Sequence, residues 1–171
     1  MSELPVLRTE RLLLRPFEDR DAPEIVALDS DPEVMRHLGG LPETTTVEAA
    51  LAMFARVRGY PAGTGVWAAE HDARFIGWFH LRPARDETKE MELGYRLKKE
   101  FWRRGFATEA SREFLRYAWE ELGEPSVMAI TSPDNVGSRG VMEKIGMSYV
   151  EAFEYESFGP AVRYRILRPT P

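Results

Sequence analysis

Apolar and polar residues alternate along residues 91–97, which places one set of side chains on a common face: Met91, Leu93, Tyr95 and Leu97. This period of two predicts a β-strand. A basic turn that contains Gly105 follows, and apolar residues then recur every three to four positions from Phe106 onward. That second period is typical of an amphipathic helix that packs one face against a core. The segment therefore predicts a strand, a short turn and a helix.

The same patterns divide the rest of the chain into short elements. Further strands are predicted over residues 11–17, 66–70, 74–81, 127–130, 147–155 and 162–167. Further helices are predicted over residues 19–28, 31–38, 46–59 and 135–145, the last ending at Gly146 in a C′-like position. This order predicts an α/β fold with one mixed sheet, in which antiparallel meanders surround a central crossover. At 171 residues, the chain is expected to form a single domain over residues 1–171.

Composition narrows the classes of function. The chain has no cysteine, and His37, His71 and His80 lie far apart in sequence, so no metal site is expected. No apolar run approaches membrane-spanning length, and a cytoplasmic protein without a membrane partner is expected. The net charge of −5 argues against nucleic acid as the main partner.

The turn before the long helix is a candidate anion site. Residues 103–108 bring together Arg103, Arg104, Gly105 and the first N–H groups of a helix. A helix N-terminus combines unpaired N–H donors with the positive end of the helix dipole, which suits a phosphate. A solvated basic turn on an ordinary strand–helix unit is the alternative, and the turn alone does not decide between them.

A second feature opens near Asn135 and closes on Gly146, and taken alone it is a capped helix with a glycine stop. Together, the two features make the chain resemble the GNAT (GCN5-related N-acetyltransferase) superfamily, and within it the RimJ/RimL-like branch. The resemblance extends over nearly the whole chain. It is carried by residues 9–16 (TERLLLRP), 92–95 (ELGY), 102–110 (WRRGFATEA), the Asn135–Ser138 spacing and 143–147 (EKIGM).

The resemblance implies a GNAT-like fold, with a mostly antiparallel sheet, a parallel and splayed pair of fourth and fifth strands, and about four helices. It implies acetyl-CoA as co-substrate and no metal. The pyrophosphate would bind at the turn formed by Arg103, Arg104, Gly105, Phe106, Ala107 and Thr108. The pantetheine arm would pair with the backbone near Tyr95 and Leu97 and lie beside Asn135, and Arg139 would reach the nucleotide phosphates.

The proposed acetyl transfer needs a base, because the attacking amine must be neutral. Glu92 is the candidate, since it lies on the strand that would carry the pantetheine. Partial burial would raise the pKa of its carboxyl group and make it a better base. The alternative is a glutamate that faces solvent. On the preceding strand His80 could face the cleft, although a structural histidine is the commoner case.

Two positions depart from the superfamily pattern. Met142 stands where many GNAT enzymes have a tyrosine that acts as general acid, and Ser138 is the residue that the RimL-type comparison offers instead. The alternative for Ser138 is a first-turn serine that bonds to the backbone. Trp102 stands where the superfamily has Gln or Arg, so the turn would depend on backbone donors and on its two arginines.

The resemblance implies an N-acetyltransferase whose acceptor is the N-terminal α-amine of a protein, such as a ribosomal protein. A polyamine or another small amine is the alternative acceptor. A non-catalytic acyl-CoA-binding module is a further alternative, motivated by Met142 and by the open role of Ser138. A monomer or a homodimer is expected.

Overall fold

The computed structural model describes residues 4–38, 44–156 and 159–170. The strands are β1 (Leu7–Arg8), β2 (Leu13–Pro16), β3 (Gly65–His71), β4 (Arg74–Pro83), β5 (Met91–Leu97), β6 (Ser126–Thr131), β7 (Ser148–Tyr155) and β8 (Gly159–Leu167). The helices are α1 (Ala22–Ser30), α2 (Pro32–Met35), α3 (Val47–Val57), α4 (Phe106–Glu120) and α5 (Val136–Lys144). Short 3-10 turns occupy Asp19–Asp21 and Lys99–Phe101.

All eight strands form one sheet, in the order β1-β2-β3-β4-β5-β6-β8-β7. Every neighbouring pair is antiparallel except β5 and β6, which are parallel. The parallel register consists of two residue pairs, Met91 with Val127 and Glu92 with Met128, after which the strands separate. The predicted mixed sheet with a splayed parallel pair is confirmed.

Helices cover both faces of the sheet. On one face α1 and α3 pack through Ile25 and Phe54 against a cluster that includes Ala68 of β3. On the other face α4 packs across the sheet, and the ring of Phe114 lies 5.0 Å from Trp67 and 5.7 Å from Phe79. The larger core therefore lies between the sheet and the helices that follow β5 and β6.

The N-terminal part differs most from the prediction. The predicted strand over residues 11–17 is shorter, and a two-residue strand before it was not predicted. The predicted helix at 19–28 begins as a 3-10 turn and continues as α1. The described residues contain five α-helices, as many as the sequence patterns predict and one more than the resemblance implies, and α2 is shorter than the helix predicted over residues 31–38.

In the described parts of the chain, no helix has the length and apolar character needed to cross a membrane. Those same parts contain no group of three or more His, Asp or Glu side chains arranged to hold a metal ion. The predicted cytoplasmic location and oligomeric state stay predictions.

Candidate active site

A groove of about 790 Å³ lies where β5 and β6 separate. One wall is residues 93–97 of β5, and the other is residues 129–131 of β6 together with the first turns of α5. The start of α4 closes one end, and α2 with the residues after it lies at another. The space is large enough for a ligand of the size of a drug or cofactor.

The turn into α4 has the geometry of an anion seat. Gly105 is the N-cap residue in a left-handed conformation with φ of +82°, and no side chain caps the helix. The first helical hydrogen bond runs from the N–H of Glu109 to the carbonyl of Gly105. The N–H groups of residues 106–108 precede it, so they have no acceptor within the helix. They line the groove, and the turn therefore fits the pyrophosphate of acetyl-CoA.

The two arginines of the turn differ in position. Arg103 lines the groove and has a positive φ of 58°. The guanidinium of Arg104 instead lies over the rings of Phe101 and Phe106, at 5.4 and 5.0 Å from their centroids. Its carbonyl accepts a hydrogen bond from Arg11. Arg104 thus stabilises the turn from behind, and its contact with a phosphate stays a prediction.

Trp102, which stands where the superfamily has Gln or Arg, links the turn to β5. Its indole N–H donates to the carbonyl of Leu97 at 2.8 Å, which ties the turn to the end of β5. The side chain is 39% exposed and lines the groove. Leu97 lines the groove, its carbonyl already accepts one hydrogen bond from Trp102, and its predicted pairing with the pantetheine stays a prediction.

Asn135 and Ser138 lie together on the α5 side of the groove. Asn135 caps the helix, and its side-chain oxygen accepts from the N–H of Ser138 at 3.1 Å. Both residues line the groove. Arg139 points elsewhere, since it donates to the hydroxyl of Tyr164 at 3.1 Å and to the carbonyl of Pro133 at 2.9 Å. Arg139 is not among the described residues that line the groove, and its predicted contact with nucleotide phosphates stays a prediction.

Tyr95 contributes a side chain that the sequence reasoning had not used. Its phenol projects from β5 toward α5 and lies next to the side chain of Ser138. Burial raises the pKa of Tyr95 to about 12, so the phenol keeps its proton at neutral pH. Two hydroxyl groups therefore meet in the groove, near the place where the superfamily's tyrosine is replaced by Met142. The alternation of residues along β5 could have identified this side chain, because it puts Tyr95 on the face that α5 covers.

Glu92 lies on the opposite face of β5, among three side chains of β4 and the following loop. It is 8% exposed, and its two oxygens lie 3.4 Å from Nε2 of His80 and 3.2 Å from Nη1 of Arg82. The expectation of a raised pKa is wrong. Burial raises the pKa of Glu92, but the contact with His80 and the charges of Arg82 and Arg85 outweigh it, and the net pKa is lowered. The alternative of a solvent-facing glutamate is equally excluded.

His80 completes this cluster. Its ring stacks on Trp78 with centroids 5.8 Å apart. Burial lowers the pKa of His80 and outweighs the neighbouring carboxylate, so the imidazole is neutral near pH 7. The site thus pairs an ionised carboxylate with a neutral imidazole, neither of which is a strong base.

Comparisons with known proteins identify the family to which this chain belongs. A family model described as an acetyltransferase (GNAT) domain matches residues 11–148. FsC-acetyl coenzyme A-N(2)-transacetylase of Aspergillus fumigatus is 34% identical, covering 96% of this chain and 77% of that protein.

Solved structures of acetyltransferases have a fold similar to that of this chain. RimL, a ribosomal L7/L12 alpha-N-protein acetyltransferase solved with coenzyme A, matches with a TM-score of 0.81 at 13% identity, covering 95% of this chain and 97% of that one. RimJ of Mycobacterium smegmatis, solved with CoA-disulfide, matches with a TM-score of 0.77 at 18% identity, covering 95% and 86%. The chain belongs to the GNAT family of acetyltransferases and is an acyltransferase that moves an acetyl group from acetyl-CoA to an amine.

Proposed function

We propose that this acetyltransferase acts on an α-amine, and that its acceptor is the N-terminus of a protein. The observation that carries the proposal is the weak basicity of the cluster around Glu92, whose pKa is lowered, next to a neutral His80. An α-amine has a pKa near ~7.7–8.0 and a lysine-type amine near ~10.4. At pH 7.5 roughly a third of the α-amines are already neutral, against about one lysine-type amine in a thousand. A weak base therefore matches an α-amine better.

The proposed arrangement of the two substrates uses the residues that line the groove. The turn of residues 103–108 would hold the pyrophosphate, and the unpaired edge of β5 near Tyr95 and Leu97 would pair with the pantetheine. The neutral amine then attacks the thioester carbonyl, and its proton leaves toward the cluster of Glu92. Ser138, which lines the groove, would donate to the departing sulfur.

A small-molecule amine is the second candidate acceptor. It is favoured by the relative named an FsC-acetyl coenzyme A-N(2)-transacetylase, which matches almost the whole of this chain. A polyamine fits less well, because its amines are more basic than an α-amine and would require a stronger base. Family membership favours catalysis over a non-catalytic acyl-CoA-binding module.

A matched panel of acceptors tests the proposal. Peptides with a free N-terminus and no lysine are compared with the same peptides carrying a blocked N-terminus and one lysine, with spermidine, and with free amino-acid amides. Release of CoA is measured with a thiol reagent, and the acetylated nitrogen is identified by mass spectrometry. We expect turnover of the free N-termini alone. Turnover restricted to spermidine or to the lysine peptides would contradict the α-amine proposal, and turnover restricted to the amides would support the small-molecule candidate.

A further inference from the structure

The ring of His80 occupies the place that a side chain at position 94 would need. The two residues are direct partners in the register of β4 and β5. A Cβ added to Gly94 would lie 2.5 Å from Cε1 and 2.7 Å from Nε2 of His80. The glycine therefore lets the imidazole rest directly against the backbone of β5.

That contact lies against backbone that lines the groove. The pairing of β5 with β6 ends at Glu92, so the β6 side of Gly94 has no strand partner there. Gly94 lines the groove together with Leu93 and Tyr95. In the arrangement proposed above, this free backbone is where the acetyl end of the pantetheine would pair. In that arrangement His80 lies against the backbone that would pair with the acetyl end of the pantetheine.

Glu92 is placed differently from His80. Neither side chain is among the described residues that line the groove, but His80 lies against Gly94, which does line it, whereas Glu92 lies beside Arg82 with an oxygen at 3.2 Å from Nη1. Its other oxygen faces Nε2 of His80 at 3.4 Å. The imidazole therefore contacts backbone that lines the groove, while the contact with His80 and the charges of Arg82 and Arg85 keep the pKa of the carboxylate lowered.

We propose that His80 accepts the proton of the attacking amine, and that Glu92 acts through His80 as a positioning residue. The amine nitrogen forms a bond to the thioester carbonyl carbon, the carbon–sulfur bond breaks, and the sulfur leaves as a thiolate. The amine proton goes to Nδ1 of the imidazole, while Nε2 lies 3.4 Å from an oxygen of Glu92. The imidazolium formed is stabilised by that carboxylate and returns its proton to solvent after the amide has left.

The charges that face the imidazole fit this role. Glu92 favours the imidazolium, whereas Arg82 and Arg85 oppose it, and burial opposes it further. The ring is consequently neutral before the reaction and ready to accept a proton. Bond formation makes the amine nitrogen strongly acidic, so a base of modest strength is sufficient at that stage. This assignment rests on the proposed arrangement of the substrates and holds for any amine that the enzyme acetylates.

The pH dependence of kcat/KM separates the two residues. If His80 is the base, a plot of log(kcat/KM) against pH for wild type has a slope of two below the pKa of the imidazole, because both the amine and His80 must lose a proton. His80→Gln should lower kcat/KM about 100-fold and leave a slope of one. Glu92→Gln should keep the slope of two and move the break to lower pH, because the stabilising carboxylate is gone. A slope of one in Glu92→Gln with a slope of two in His80→Gln would overturn the proposal.

Two further measurements guard against loss of fold. Affinity for acetyl-CoA and the thermal midpoint are measured for every variant, so that only well-folded variants are compared.

His80→Ala leaves a gap over Gly94, and added imidazole should restore part of the lost kcat. Gly94→Ala should lower kcat in the wild-type background because it displaces the ring, and it should lower kcat by a smaller factor in His80→Ala, where there is no ring to displace. An active Gly94→Ala variant, or no response to imidazole, would count against His80. The assay uses whichever amine wild type acetylates, so failure of the α-amine proposal leaves this test intact.

Discussion

The guanidinium of Arg11 and the carboxylate of Glu109 meet at 2.6 Å and join the N-terminal segment to the first turn of α4. Glu109 also accepts from the hydroxyl of Thr9 at 2.6 Å and from the backbone N–H of Arg11 at 2.8 Å. The motifs at residues 9–16 and 102–110, which lie almost 100 residues apart in sequence, therefore contact each other directly. The contact holds the start of α4 in place, next to the turn that faces the groove.

Glu109→Ala should lower the free energy of unfolding by about 2 kcal/mol, because charged hydrogen bonds contribute more than neutral ones. It should also weaken acetyl-CoA binding, since the first turn of α4 loses its attachment. Urea denaturation and calorimetric titration measure the two effects. Glu113→Ala is the control, as Glu113 bonds to Arg116 within the same helix, and such a pair contributes only about 0.3–0.5 kcal/mol. Equal losses in the two variants would contradict this prediction.

Stability toward acid should depend on Glu90. Burial raises the pKa of this carboxyl group, but hydrogen bonds from Arg165 at 2.7 Å and Ser126 at 2.6 Å outweigh it, and the net pKa is lowered. An unfolded glutamate has a pKa of about 4.3, so the unfolded chain takes up this proton first as the pH falls. The stabilisation is therefore complete above about pH 4.3 and is lost as the pH falls through the folded pKa.

Glu90→Gln removes the carboxyl group that makes stability depend on pH in this range. We expect the variant to be less stable than wild type at pH 6 and to lose less stability between pH 6 and pH 3.5. Urea midpoints at the two pH values provide the measurement. Glu120→Gln is the matched change at an exposed side chain of α4 and should follow wild type. If the urea midpoint of Glu90→Gln falls as far as that of wild type between pH 6 and pH 3.5, another carboxyl group causes the loss of stability in acid.

Local patterns predicted most of the fold. The period of two over residues 91–97 and the helical period after Phe106 depend only on neighbours in sequence, and both elements form where predicted. Gly105 and Gly146 adopt the left-handed conformations that their places in the turn and the helix end require. These features could be predicted because each is decided within a few residues.

The chemistry of the cleft depends on register across strands, which no local pattern records. The partner of Glu92 is Arg82, and the ring over Gly94 belongs to His80, because β4 and β5 pair in one particular alignment. The direction of the pKa of Glu92 was wrong for that reason, since burial was counted and the charges of β4 and its loop were not. The hydroxyl of Tyr95 was overlooked because its contact with Ser138 joins β5 to α5.

The two hydroxyl groups in the groove should act as a unit during release of the thiolate. Ser138→Ala and Tyr95→Phe should each lower kcat about 100-fold, which is the lower range for general acid catalysis. Because the two side chains are neighbours, the loss of kcat in the double variant should be smaller than the product of the two single losses. Steady-state kinetics with measured acetyl-CoA affinities check this. Losses that multiply, or an unchanged kcat in Ser138→Ala, would contradict a shared role.

Gly105 offers the sharpest test of the phosphate seat, because the chain provides a matched control. Gly105 and Gly123 both have left-handed backbones, with φ of +82° and +70°. Alanine at either position should cost about 1 kcal/mol of stability through backbone strain. At Gly105 the new methyl group would also lie 3.3 Å from Nη2 of Arg11, at the turn that lines the groove, whereas at Gly123 no described atom lies within 4 Å. Both variants should therefore melt at similarly lowered temperatures, while Gly105→Ala alone binds acetyl-CoA at least about tenfold more weakly, equivalent to about 1.4 kcal/mol. Equal affinities in the two variants would mean that the turn does not hold the pyrophosphate.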